Sequence, residues 1–344
     1  MEPMEAESVA ELPRGAQWQY EPKWDGFRCL LLRNGKLVRM QSKGGRDLVR
    51  YFPEIASAAL AVPAKYFLLD GELIIELDEG YTFDALLRRI HPAASRVKRL
   101  STETPARFVA FDLLRSVDVD LADLPLLKRR PALEKFARHY FRGRDRFVLS
   151  PASRNLAEAK RWLRHVEDGH DGVIARRLDL AYQSGTRDGM QKIKLLRSAD
   201  CVVGGFRYAE KKQGRRRVLG SLLLGLYDGS GLLHHVGFTS ALKASDRVCL
   251  TAKFEKIASQ SSFTGKAPGG PSRWSTKRSA EWQPVRPIHV LEVCYDHVSS
   301  DRFRHGTKIL RWRPDKKPSQ CRMDQLGQAP AKPRQAKVAL ADDP

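Results

Sequence analysis

The alternation of apolar and polar positions is clearest early in the chain. Two apolar runs, "FRCLLLR" and "KLVRMQS", flank Asn34-Gly35, a strong two-residue turn signal, and predict a β-hairpin. "YFPEIASAAL" follows and reads as a short helix. "YFLLDGELIIEL" (66–77) reads as a long, mostly apolar strand interrupted by Asp70, Gly71 and Glu72. "RFVAFDLL" (107–114) is a second such strand. Two amphipathic helices are predicted over "PLLKRRPALEKFARHYF" and "SRNLAEAKRWLRHVEDG". In the latter Leu156, Ala159, Leu163 and Val166 form one stripe, with Ser153 as the cap and Gly169 as the stop. "DGVIARR" and "MQKIKLL" read as short strands.

After about residue 198 the pattern changes. "CVVGGFRY", "RVLGSLLLGLYD", "LLHHVGF" and "HVLEVCYDHV" are strands separated by Gly, Asp and Ser turns, with one helix near 241–259. Five or so strands and one helix suggest a small β-barrel, for which an OB-fold is the natural candidate. Residues 259–274 read as a loop. The tail from 322, rich in Ala, Pro, Gln and Lys, is expected to be disordered. The expected division is therefore a catalytic domain over 1–198, a barrel over 199–321 and a tail over 322–344.

Composition narrows the function. Lys and Arg number 61 against 40 Asp and Glu, a net charge of +21 over 344 residues. That balance favours polyanionic partners, nucleic acid first and anionic membrane second. The charge clusters at 127–146 and at "RYAEKKQGRRR" (207–217). No apolar run approaches the ~20 residues that span a bilayer, so no membrane partner is expected. The acidic opening "MEPMEAESVAELPRG" has no apolar core of a secretory signal. The five cysteines are widely spaced and form no CxxC, which fits reduced thiols in a cytoplasmic protein and argues against a zinc ribbon. His234 and His235 are adjacent, so on a strand they face opposite ways and do not share a metal.

Candidate chemistry centres on "EPKWDGFR" (21–28). Lys23, read here as lying in a loop at a strand edge, would alone be a solvated charge. The apolar strands change that reading. "LLDGELII" and "FVAFDLL" hold carboxylates where apolar residues are expected, and "DGVIAR" repeats the pattern at Asp171. Such groups are costly without a cation, metal or ligand partner. "QKIK" sets Lys192 and Lys194 on one face of a strand. Converging carboxylates and lysines suit a metal–polyphosphate site.

In this order and at these intervals, "KWDGFR", "SKGGRD", "LLDGELII", "FVAFDLL", "DGVIAR", "QKIK" and "RWRPDK" resemble the motifs of the ATP-dependent DNA ligases of the covalent nucleotidyltransferase superfamily. The small two-domain bacterial type, often called ligase C, is the nearest likeness, over roughly residues 10 to 320. The resemblance implies an α+β fold: a nucleotidyltransferase (ATP-grasp-like ligase) catalytic domain followed by an OB-fold β-barrel. It implies ATP as co-substrate with Mg²⁺ or Mn²⁺. Lys23 would be the nucleophile that becomes lysyl–AMP, its pKa lowered by Lys192, Lys194, Arg28 and a metal. Glu21 would accept from the adenine amino group, and Phe111 would stack on the base. Arg28 would contact ribose or phosphates, Glu72 would hold ribose or metal, and Asp171 would bind metal. Lys192 and Lys194 would grip the α-phosphate. Arg313 and Lys316 would reach the β- and γ-phosphates. Three positions depart from the family pattern. Lys43 stands where arginine is usual, Asp171 where glutamate is usual, and Arg176 where lysine is usual; Lys43 and Arg176 remain candidate nucleotide contacts.

Each residue taken alone also fits a structural role: Phe111 as core, Glu72 as a buried ion-pair partner, Arg313 and Lys316 as a solvated strand end. The expected partner is nicked duplex DNA, held through its phosphates by a cytoplasmic monomer that serves repair beside separate polymerase or nuclease proteins. An RNA ligase and a capping-type guanylyltransferase remain alternatives, though Glu21 favours ATP over GTP. A NAD-dependent ligase is disfavoured by the missing zinc-type cysteines. A non-catalytic OB-fold protein would explain the charge and the barrel, but not Lys23, Glu72, Asp171, Lys192 and Lys194 together.

Overall fold

The computed structural model describes every residue except 78, 79, 118, 166–169, 211–216, 270–280, 300 and 327–344. The chain divides into two compact units, Met1–Leu195 and Leu196–Pro344. The strand Arg197–Tyr208 pairs from its first residue with the second unit's sheet, Arg197 opposite Tyr295. The boundary therefore falls at the start of that strand rather than after residue 198.

Two sheets build the first unit. The larger runs Phe147–Leu149, Arg107–Ser116, Tyr66–Ile74, Phe27–Asn34, Leu37–Ser42, with Val119–Asp120 at its margin. The smaller runs Glu7–Ser8, Met190–Lys194, His170–Arg177, Trp18–Trp24. Strand periodicity assigns the faces of the larger sheet. Cys29 and Leu31, Phe67 and Leu69, Phe108 and Ala110 join Phe52, Ile55, Leu86, Leu133 and Phe136 in the main core beneath the helices. The alternate positions Leu30 and Leu68, and Leu114 beyond the bulge between Ala110 and Asp112, pack instead with Ile174 and Met190 of the smaller sheet. Both faces of the larger sheet are thus covered, which is why its strands read as near-continuous apolar runs.

The predicted hairpin forms with a shifted turn. Asn34 pairs with Leu37, so the two-residue loop is Gly35-Lys36, and Gly35 supplies the positive φ of 60°. The second amphipathic helix spans Leu156–Arg164 and is capped by Asn155, whose side chain accepts from the Ala157 N–H, rather than by Ser153. Val166 and the stop expected at Gly169 lie outside the described residues. Helices Phe83–Arg89 and Ala94–Glu103 had no counterpart in the periodicity reading.

The second unit is an antiparallel barrel ordered Leu233–Thr239, Leu219–Tyr227, Arg197–Tyr208, Val290–Tyr295, Lys308–Trp312. A bridge between Thr239 and Thr307 joins its two edges. Helix Arg247–Glu255 adds Phe254 to the core of Val203, Phe206, Leu222, Leu224, Val236 and Leu291. This is the expected OB-fold. Of the expected tail, Met323–Leu326 form a 3₁₀ turn and 327–344 lie outside the described residues. Most of the basic cluster at 207–217 lies outside them as well.

Candidate active site

Lys23 lies on a strand, not in a loop. Along Trp18–Trp24 the side chains alternate. Trp18 and Tyr20 pack with Ala159, Val173, Ala175 and Ile193 around the helix Leu156–Arg164. Gln19, Glu21 and Lys23 therefore share the opposite, inward face. Glu21 is in register with Ile174, and Ile174 with Lys192; Gln19 is opposite Arg176, and Lys194 opposite Gly172. The chain then crosses to the larger sheet through Asp25-Gly26. A Cβ on Gly26 would lie 2.0 Å from the Leu73 carbonyl oxygen, so only glycine lets the two strands approach this closely. Gly172, after Asp171, is confined in the same way by the Ile193 carbonyl, 2.1 Å from where its Cβ would be.

Asp171 ties two lysines together. Lys23 Nζ donates to its Oδ1 at 2.6 Å, and Lys194 Nζ lies 2.8 Å from its Oδ2. Burial works against the Asp171 charge, but Lys23 and then Lys194 outweigh it and hold the carboxyl below the usual range. The crowding expected at Lys23 is only partly present. The Asp171 carboxylate stands between Lys23 and Lys194, and Arg28 is engaged elsewhere. Lys192 has a lowered pKa, through burial first and the charge of Lys23 second.

The larger sheet presents its acids to the layer between the sheets. Asp70 and Asp112 face each other across adjacent strands, both fully buried. Arg28 donates twice to Asp70, from Nε at 2.6 Å and Nη2 at 2.7 Å, and Tyr182 Oη donates to the same carboxylate at 2.6 Å. Burial opposes the Arg28 charge, but Asp70 more than compensates and raises its pKa. The same guanidinium sits 4.6 Å from the centroid of the Phe111 ring. Glu72 is opposite Arg28 in the ladder. Burial pushes its carboxyl up to about 8, against the pull of Arg28 and Lys23.

Asp112 is held by two arginines. Arg129 donates from Nε and Nη2, each at 3.0 Å, and Arg176 Nη2 donates to its Oδ2. Arg176 is 1% exposed. Its Nη1 donates to the Phe111 carbonyl at 3.0 Å and to Glu21 Oε1 at 3.5 Å. It therefore braces two expected base-contacting residues; both of its Nη groups are bonded to protein oxygens, while the buried Nε has no hydrogen-bond partner among the described residues. The sequence flagged the buried carboxylates as needing partners; it did not reveal that Arg129, Arg176 and Tyr182 supply them.

Two expected groups are paired with other carboxylates. Lys43 is exposed and pairs with Glu5 at 3.1 Å. In the second unit Arg313 Nη1 donates to Asp200 Oδ1 at 2.9 Å, and Lys316 Nζ to Asp200 Oδ2 at 2.6 Å. Among the described residues no group of three or more His, Cys, Asp or Glu side chains is placed to hold a metal.

Comparison with known proteins gives this geometry its context. Residues 3–194 match the family model for the ATP dependent DNA ligase domain, and residues 215–316 that for the ATP dependent DNA ligase C terminal region. DNA ligase C2 of Mycolicibacterium smegmatis is 41% identical over 343 residues, covering 95% of this chain and 94% of that one. The multifunctional non-homologous end joining protein LigD of Pseudomonas aeruginosa is 32% identical over 86% of this chain, which is 33% of its own length. Among solved structures, a Lig E DNA ligase aligns with a TM-score of 0.54 at 14% identity, over 90% of this chain and all of that one, a likeness of fold. Matched through both units by these family models, the chain belongs to the ATP-dependent DNA ligases.

Proposed function

We propose that the protein seals nicks in duplex DNA, with Lys23 as the group that carries AMP. The observation that carries this reading is the Lys23–Asp171–Lys194 cluster, built on three adjacent strands of the smaller sheet. Lys23 attacks as a free amine, so a proton must leave Nζ before the N–P bond to the α-phosphate forms and pyrophosphate departs. AMP then passes to the 5′-phosphate of the nick, and the 3′-hydroxyl displaces it. Asp171, with a depressed pKa, is a weak base; its part is to hold Lys23 and Lys194 in position. Lys192 and Lys194 would meet the charge that develops on the α-phosphate. Glu21 and Phe111 would receive adenine, and Arg28 the ribose or phosphates. Arg176, buried and with both Nη groups bonded to protein oxygens, would support the base site from behind rather than touch the nucleotide, and exposed Lys43 would contact DNA or nucleotide only on leaving Glu5.

Glu72 and Asp171 are hard oxygen donors of the kind Mg²⁺ or Mn²⁺ takes. The desolvation that pushes Glu72 up to about 8 is a penalty that a bound dication would relieve. Such a metal would supply charge neutralisation at the phosphates. Service in DNA repair is the pathway we favour, since one similar protein is named for end joining. Nicked duplex DNA is the partner that this reading assigns, and the cytoplasm the compartment.

Intact mass after incubation with ATP and Mg²⁺ tests the proposal. The wild-type chain should gain the mass of AMP. Lys23→Ala and Lys23→Arg should not, the latter because a guanidinium stays protonated. Adenylation of either variant at the wild-type level would overturn the assignment of Lys23.

A further inference from the structure

We propose that Gln19 and Arg176 clamp one oxygen of Glu21 so that its other oxygen is presented to the 6-amino group of the incoming base. The inference rests on the reading of Glu21 as the adenine acceptor and adds the residues that aim it. Gln19 and Glu21 are two apart on one strand and share its inward face. Gln19 Nε2 donates to Glu21 Oε1 at 2.8 Å. A carboxylate can only accept, so the amide nitrogen must face it. Arg176, opposite Gln19 in the ladder, donates from Nη1 to the same Oε1. Every hydrogen bond to the Glu21 side chain among the described residues goes to Oε1, so Oε2 is the oxygen left to accept from a ligand.

The clamp also fixes distance. Arg176 Nη1 bonds both Glu21 Oε1 and the Phe111 carbonyl, so one nitrogen ties the edge-reading carboxylate to the residue expected to stack on the base. Its Nη2 is anchored on Asp112, which Arg129 holds in turn. A lysine at this position has its three donors on one nitrogen and lacks the planar fork by which separate nitrogens here meet Asp112 and the Glu21–Phe111 pair. Glu21 is 2% exposed, so its rotamer is set before the base arrives. A base bearing a 6-amino group then gains a charge-assisted hydrogen bond at little ordering cost, while a 6-oxo base meets a carboxylate that cannot donate.

The test compares self-adenylation with ATP and the analogous transfer from purine riboside 5′-triphosphate, which lacks the amino group. In the wild type the ratio of kcat/KM values measures the hydrogen bond to Glu21. Gln19→Met keeps the length of the side chain and removes the donor. It should lower that ratio by about five- to tenfold, chiefly through a higher KM for ATP. Arg176→Lys should lower it in the same direction, and it answers the question should Gln19→Met fail to fold. A loss that is equal for the two nucleotides, leaving the ratio at the wild-type value, would mean that Gln19 is merely structural and would overturn the clamp. Glu21→Ala is the control: if it leaves the ratio intact, the reading of Glu21 itself is wrong, whereas collapse in Glu21→Ala beside an intact ratio in both clamp variants sinks only the inference made here.

Discussion

Glu72 shows how a single residue in this site balances burial against charge. Its carboxyl is pushed up to about 8 in the folded protein, from an ordinary value of 4.5. Below the ordinary value it is protonated in both states. As pH rises through that window the unfolded chain releases the proton while the folded one retains it. The native state then binds more protons than the unfolded state, so stability falls with rising pH until about 8 and then levels off. Glu72→Gln, neutral throughout, lacks this loss. In metal-free buffer the melting temperature of the variant, relative to wild type, should therefore climb as pH is raised from about 5 to about 8. A constant offset across that range would show that the carboxyl does not titrate there. Asp171 has the opposite sign: its lowered pKa contributes stability that is present above the ordinary carboxylate range and lost as pH falls through its folded pKa, when the Lys23 and Lys194 pairings are broken.

The helix Leu126–Tyr140 shows what an element adds to its residues. Its basic run reads in the sequence as a nucleic-acid surface, yet Arg129 is 1% exposed and Arg130 is also buried. Arg129 grips Asp112 with two bonds and donates further to the carbonyls of Leu124 and Leu180. Arg129→Ala leaves the fully buried Asp112 with one cation fewer and should cost about 3–5 kcal/mol in urea denaturation. Exposed Arg138 should cost about 0.5 kcal/mol or less. Similar losses at both positions would contradict the buried role. The elements legible in the sequence were those with a long apolar run and a clear turn: the hairpin, the Tyr66–Ile74 and Arg107–Ser116 strands, and the barrel. The strand that carries Lys23 was missed although its pattern is a strict alternation, because Pro22 and the charges of Glu21 and Lys23 made it read as a loop. The partners were not legible at all. Lys23 meets Asp171 across 148 residues and Arg28 meets Asp70 across 42, and sheet register, which no local pattern encodes, brings them together. Motif order could nominate Lys23, Asp171 and Lys194; it could not show that one carboxylate joins them, nor that Arg176 turns inward.

At the scale of the molecule, the proposed roles fall on residues of both units. Lys23 belongs to the first, while Arg313 and Lys316 belong to the second and are both bound there to Asp200. Arg313 is further paired with Asp315 at 2.8 Å. To stabilise departing pyrophosphate, the two cations must exchange these carboxylates for phosphate oxygens. The exchange is plausible on charge alone, since pyrophosphate offers more negative charge and more acceptor oxygens than Asp200 and Asp315 together. The need is confined to one step. Once AMP has moved to DNA no pyrophosphate remains for the two cations to neutralise. Removing Lys316 or Arg313 should therefore slow self-adenylation by roughly a hundredfold, the usual cost of losing a donor aimed at developing charge. The same variants should still seal a nick supplied already carrying 5′-AMP. The measurement is single-turnover sealing of pre-adenylated DNA without ATP, set beside enzyme–AMP formation, for Lys316→Ala, Arg313→Ala and wild type. If both steps fall together, the two residues act in folding or in holding DNA, and Asp200 is then their permanent partner rather than one they leave.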